Sequence, residues 1–208
     1  MNPTPKDSGW VEVICGPMFS GKTEELIRRC RLARIARQKV QVFKPALDTR
    51  SGAAEIVSRA DVRLASHSVS SASEIPVLAA HADVVGIDEG QFFGDELVEA
   101  CNALADAGKR VIVAGLDLDY RAEPFENMAR LMATAEYVEK VLAICMQCGN
   151  PASRSQRLVD SINRFVVGDK ETYEARCRRC YIKEKPGPHQ EDLPMSGGGL
   201  EQVEERGG

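Results

Sequence analysis

No apolar run in this 208-residue chain approaches the roughly 20 residues that a membrane-spanning helix needs, so a helical anchor and a membrane partner are excluded. The first nine residues, Met1 to Gly9, are polar and lack the apolar stretch of a secretion signal; the expectation is a cytoplasmic protein. Positive charge is not in excess. Against 27 Lys and Arg stand 31 Asp and Glu, a formal net charge of -4, and nucleic acid is not expected as a partner. Histidine is scarce, and His67, His81 and His189 form no cluster with metal-ligand spacing, so each reads as a surface residue. A secreted disulfide scaffold is also disfavoured. There are seven cysteines, but no secretion signal accompanies them and four of them fall in two C-x-x-C pairs, which points to metal binding.

What is present is enough apolar material, 43% of residues, for one ordinary domain with a small appendage. Trp10 to Cys15 reads as a buried strand and Lys22 to about Arg37 as a helix, with Leu26, Cys30 and Ala33 at i, i+4 and i+7. Glu24 and Glu25 suit the positive end of that helix, and Arg28, Arg29, Arg31 and Arg34 read as its solvated face. Strands are predicted at Val40 to Phe43, Asp83 to Ile87 and Arg110 to Gly115, and a helix from Asp95 to Ala107 stopped by Gly108. Residues 51 to 76 carry only weak periodicity. Cys15, Cys30 and Cys101 sit in apolar surroundings as packed thiols. Short apolar strands alternating with helices give an α/β fold of P-loop NTPase type, a mainly parallel sheet with flanking helices whose ligands bind at the carboxyl ends of the strands. The predicted organisation is a flexible N-terminus at 1–9, the α/β nucleotide-binding domain at 10–144, a small zinc-ribbon domain at 145–183 and a disordered tail at 184–208.

Gly16-Pro17-Met18-Phe19-Ser20-Gly21-Lys22-Thr23 satisfies G-x-x-x-x-G-K-[ST] between a predicted strand and helix, the setting in which that pattern cradles phosphate. Glycines let backbone N–H groups close around the triphosphate, Lys22 reaches its outer phosphates and Thr23 ligates Mg2+. Asp88 and Glu89, followed by Gly90 and Gln91, stand at the end of the apolar strand beside it, where ATP is expected. Asp88 fits a second magnesium-side carboxylate acting through water, leaving Glu89 as a base. Two jobs remain open for Glu89 at this level: it can orient water, as in a helicase-like ATPase, or take the proton of an alcohol acceptor. Cys145-x-x-Cys148 and Cys177-x-x-Cys180 have the spacing of a closed, structural zinc site. A zinc-ribbon nucleic-acid binder is the remaining alternative, and the acidic composition opposes it.

Taken together, Gly16 to Thr23, Asp48-Thr-Arg50, Asp88 to Phe93, Gly115-Leu-Asp-Leu-Asp-Tyr-Arg121 and the two cysteine pairs resemble the cytoplasmic, zinc-containing type II thymidine kinase family, over most of the stretch from Val11 to Lys183. The resemblance implies ATP-dependent phosphorylation of the thymidine 5′-hydroxyl, with deoxyuridine as a further acceptor and Glu89 as general base. It places Thr23 and Asp88 at magnesium, Arg50 near the transferring phosphate, and Cys145, Cys148, Cys177 and Cys180 on zinc. Met18, Phe92, Leu116 and Tyr120 correspond to the thymine pocket, and Arg164, Phe165, Val166, Val167 and Gly168 with Tyr173 to a lasso loop over the base. It further implies a homotetramer inhibited by the thymidine triphosphate end product. Where many members continue Tyr-Ser after the arginine, this chain has Ser51-Gly52.

Overall fold

The computed structural model describes residues 8–47, 55–57, 63–159 and 171–183. In chain order the elements are β1 Trp10–Cys15, α1 Lys22–Ile35, β2 Val40–Pro45, β3 Glu55–Val57, β4 Arg63–Ala65, β5 His67–Val69, α2 Ile75–Leu78, β6 Val84–Ile87, α3 Glu96–Asp106, β7 Arg110–Gly115, α4 Glu126–Thr134, β8 Tyr137–Lys140, β9 Ala143–Ile144, β10 Pro151–Ala152, β11 Arg154–Arg157 and β12 Tyr173–Arg176. Arg50, the segment Arg164, Phe165, Val166, Val167 and Gly168, and the tail from 184 lie outside the described residues.

Six strands form one sheet in the order β5-β2-β6-β7-β1-β8, and every neighbouring pair is parallel. A parallel sheet must be covered on both faces, which is why its strands read as continuous apolar runs. Alternation along them divides the core in two. Val13, Val85, Ile87, Val111 and Val113 face α2, α3 and α4, meeting Ile75, Leu97, Cys101, Leu104, Met128 and Leu131. Ile14, Val42, Val84, Ile112 and Ala114 face α1 through Leu26, Ile27, Cys30 and Ala33, extended by Ile56 of β3 and Leu64 of β4.

The predicted solvated arginine face of α1 is only partly that. Arg28, Arg31 and Arg34 are exposed, but Arg29 turns toward the sheet and donates to Glu12 of β1 at 2.7 Å and to Glu25 at 2.8 Å. Glu12 also accepts from Arg110 of β7 and from the Trp10 indole, both at 2.7 Å, so a buried carboxylate is surrounded by donors from both strands and the helix.

Beyond the sheet, β9 pairs with β10 and β11 with β12, both antiparallel, around a small core of Ala143, Cys145, Ala152, Ala175 and Cys177. His67 and His81 are exposed, as expected of surface histidines, and His189 lies outside the described residues. No helix among the described residues is long and apolar enough to cross a membrane.

Candidate functional site

Residues 16 to 23 join β1 to α1, with Gly16 at φ 143°, Phe19 at φ 66° and Gly21 at φ 84°. Positive φ at three of the eight positions curls the chain back on itself, which turns successive amides toward one centre. At Gly16 the space is also filled: a Cβ there would lie 2.1 Å from the Val141 carbonyl oxygen. The Ser20 hydroxyl and the Lys22 ammonium both donate to the Pro17 carbonyl, at 2.8 and 2.6 Å, so the loop is closed by its own side chains.

β6 delivers Asp88 and Glu89 beside this loop. The Asp88 carboxylate accepts from the Thr23 hydroxyl at 3.1 Å and from the Glu89 amide at 3.0 Å. Burial, then the neighbouring Glu89 charge, pushes the Asp88 carboxyl up to about 7. A hydroxyl and a carboxylate in contact at the mouth of a phosphate loop are the oxygen donors a magnesium ion takes. Glu89 itself is in the left-handed region, φ 52°, a conformation that costs a non-glycine residue energy and is retained where surrounding contacts enforce it. Those contacts include Gln91, whose amide nitrogen donates to Glu89 Oε2 at 2.5 Å while its Oε1 accepts the Leu116 amide at 2.9 Å. Asn127 of α4 secures the same turn by donating to the Gly90 and Phe93 carbonyls, at 3.0 and 2.5 Å. Phe92 is half-buried at its end.

Leu116 and Tyr120 stand on the loop that follows β7, and Met18 and Tyr173 approach from opposite units. The Met18 amide donates to the Ser155 hydroxyl at 3.0 Å, tying the phosphate loop to the β11–β12 hairpin. The Tyr181 hydroxyl donates to the Tyr120 carbonyl at 2.6 Å, and the Arg121 Nε donates to the Tyr120 hydroxyl at 2.8 Å. Arg157 stacks on Tyr120 with its guanidinium carbon 3.4 Å from the ring centre and donates to the Tyr173 hydroxyl at 3.2 Å. Lys140 of β8 pairs with buried Asp117 at 2.5 Å across the end of β1. The structure thus brings Met18, Gly16 to Thr23, Asp88 to Gln91, Leu116, Tyr120 and Tyr173 to the carboxyl end of the sheet. Gln91, expected to meet ATP, contacts Glu89 and Leu116. Ser155, Arg157, Asn127 and Lys140 are not marked by any motif in the sequence; a Ser or Arg on a short polar strand carries no pattern, whereas Asp117 belongs to the Gly115 to Arg121 motif.

The four cysteines of the two pairs meet, their sulfurs all within 4.8 Å of one another and those of Cys148 and Cys177 at 3.6 Å. Tetrahedral zinc with bonds of about 2.3 Å places its sulfurs roughly 3.8 Å apart, so the cluster fits that ion. Each pair sits on a tight turn, with the Gly149 amide donating to the Cys145 carbonyl at 2.9 Å and the Cys180 amide to the Cys177 carbonyl at 3.1 Å. Burial pushes the Cys145 thiol up, yet backbone amides of Cys177, Gln147 and Cys148 outweigh it and bring it down to about 6, toward the thiolate that metals bind. Within the cluster Cys180 is raised to about 12 by hydrogen bonding with the Cys148 and Cys177 sulfurs, whereas in Cys15, Cys30 and Cys101 it is burial that raises the thiols, to about 11, 12 and 12.

The family described as thymidine kinase matches residues 9–181 of this chain. A curated thymidine kinase from Rhodothermus sp. (strain ITI 518) is 57% identical over 178 residues, which are 86% of this chain and 84% of that relative. Among solved structures, domain III of the Thermotoga maritima replication initiation protein DnaA is similar over 63% of this chain and 54% of its own length, at a TM-score of 0.37 and 17% identity. This chain spans about half of that structure, and so slight a likeness carries no argument.

Proposed function

The chain belongs to the thymidine kinase family of enzymes, which phosphorylate thymidine with ATP, and from that premise we propose that Glu89 is the general base that takes the proton of the thymidine 5′-hydroxyl as its oxygen attacks the γ-phosphate. The observation that carries this is the restraint on Glu89: a strained backbone, φ 52°, and a 2.5 Å hydrogen bond from Gln91 hold a carboxylate beside Asp88, which itself accepts from the Thr23 hydroxyl. A magnesium ion arriving with ATP would be held by Thr23 directly and by Asp88 through water, and supplies neutralisation of phosphate charge. The loop amides and Lys22 bind the β- and γ-phosphates, for which the Lys22 ammonium exchanges the Pro17 carbonyl. Met18, Phe92, Leu116, Tyr120 and Tyr173 wall the nucleoside, offering soft apolar surface and ring faces to a flat base. Arg50 and the segment 164 to 168 complete the site in this reading, and ATP contacts extend over Asp88 to Gln91.

The same reading makes the cysteine cluster a structural zinc site at the centre of a domain spanning 145–183, following the α/β domain 10–144. It extends to a cytoplasmic homotetramer, restrained by the thymidine triphosphate end product, that accepts deoxyuridine beside thymidine. Exposed Leu32 and Ile35 on α1, 50% and 78% accessible, support an assembly surface.

The decisive experiment replaces Glu89 by Gln in the full chain. Removal of a general base costs about 10²- to 10⁴-fold in kcat, while binding of an ATP analogue persists. Near-normal turnover would remove Glu89 from the role, and ATP hydrolysis independent of nucleoside at a matching rate would favour water as the acceptor.

A further inference from the structure

We propose that Arg157 is a positioning residue of the nucleoside site, its guanidinium holding Tyr120 and Tyr173 as two fixed walls. The proposal rests on the reading above that both tyrosines face the nucleoside. Arg157 is 4% exposed, and its charge is placed between the two units of the molecule. Its guanidinium carbon lies 3.4 Å from the centre of the Tyr120 ring and 5.6 Å from that of Tyr173, whose hydroxyl it also meets at 3.2 Å. The two rings come from distant parts of the chain, Tyr120 from the loop after β7 and Tyr173 from β12, where it pairs directly with Arg157 of β11.

Strand alternation explains why this residue faces the site. Ser155 and Arg157 are two positions apart on β11 and so project from the same face. Ser155 accepts the Met18 amide at 3.0 Å, which establishes that this face looks onto the phosphate loop. One strand therefore presents a hydroxyl to the ATP loop and a planar cation to the aromatic walls. A guanidinium can lie flat on one ring and donate within its own plane to a second group, whereas an ammonium is a compact point charge without that geometry. Tyr120 is fixed further by Tyr181 at its carbonyl and by Arg121, which donates to its hydroxyl and lies 5.1 Å from its ring centre, and Arg157 at 3.4 Å is the closer of the two cations on the ring.

A desolvated cation over an aromatic face shifts an equilibrium by about tenfold or more. Loss of the cation is felt in thymidine binding and spared in ATP binding, because Lys22, Thr23 and Asp88 are held by β1, α1 and β6. Steady-state kinetics on the full chain test this with Arg157→Met, Arg157→Lys and Tyr120→Ala, alongside zinc content and Tm. Arg157→Met is expected to raise KM for thymidine about tenfold with KM for ATP, zinc content and Tm near wild type, and Arg157→Lys to recover part of the loss. Should Arg157→Met fail to fold, Tyr173→Phe, which removes only the hydroxyl, carries the test, with a smaller rise in the same KM expected. Unchanged thymidine KM in the Arg157 variants while Tyr120→Ala raises it would overturn the clamp and leave the pocket reading intact. Unchanged thymidine KM in Tyr120→Ala would refute the pocket reading itself. A parallel rise of both KM values with loss of zinc would make Arg157 a scaffold residue and also overturn the proposal.

Discussion

Gln91 shows how a single buried amide can serve two sites. Its nitrogen holds Glu89 and its oxygen holds the Leu116 amide, so the position of the carboxylate and that of the loop after β7 are set by one side chain. Gln91→Met keeps the volume and removes both functions, leaving a backbone N–H without its partner. The expected outcome is a loss of about 1–3 kcal/mol of stability and a fall in kcat of about tenfold or more, as expected for a misplaced base, with a smaller loss of ATP-analogue affinity because Lys22, Thr23 and Asp88 keep their places. Denaturant unfolding and single-turnover assays check it; an unaltered kcat in a destabilised variant would confine Gln91 to a structural part. This residue was legible in the sequence only as a neighbour of Asp88-Glu89. Its contact with Leu116 depends on β6 and β7 lying side by side, a fact of topology that no local pattern contains.

Among the elements, those with strong patterns are legible in the sequence nearly to the residue. β1 and β7 are mostly apolar, Glu12 being the one charge inside β1, and α1 carries Leu26, Cys30 and Ala33 on its inner stripe, ending at Ile35 rather than about Arg37. β5, α4 and β8 were not read. β5 has three residues and is an edge strand paired with β2, while β8 is an exposed edge strand, Tyr137-Val-Glu-Lys140, without an apolar run. The first turn of α1 carries a testable electrostatic contribution. Hydrogen bonding from Arg28 first, opposed by burial, and then from Arg29, lowers the Glu25 carboxyl from its usual 4.5 to about 2. A pKa depressed on folding contributes stability fully above the unfolded value, and that contribution is lost as pH falls from about 4.5 toward 2. Because Arg28 is well exposed, solvent screening reduces the effect to about 0.5–1 kcal/mol. Glu25→Gln should therefore be less stable than wild type by that amount at pH 7, and the gap should narrow between pH 5 and pH 3.5. Urea melts across that range would contradict the mechanism if the gap stayed constant.

At the scale of the whole molecule, two units of very different solidity meet at the phosphate loop, where Ser155 accepts the Met18 amide. The sheet is covered on both faces by extensive apolar clusters, whereas the cysteine unit has five small buried residues, two of them metal-ligand candidates. The cysteine spacing made the cluster legible in the sequence, but its place did not follow from spacing: β8 and β9 carry the chain past the phosphate loop, where Val141 bonds to the Cys15 carbonyl at 2.9 Å and Ser155 reaches Met18. A unit with so little core would draw folding free energy from a metal bound at the proposed zinc site. Chelation, or Cys148→Ser, should then release about one zinc per chain and abolish thymidine phosphorylation. Binding of an ATP analogue should weaken only modestly, since β1, α1 and β6 keep Lys22, Thr23 and Asp88 in place while the loop loses the Ser155 contact to Met18 and the packing of Phe19 on the cysteine unit. Metal analysis paired with separate titrations of ATP analogue and thymidine distinguishes the cases. Equal loss of both ligands would mean that the sheet needs the cysteine unit to fold, and retention of both would mean that the hairpin bearing Ser155, Arg157 and Tyr173 holds its shape without metal.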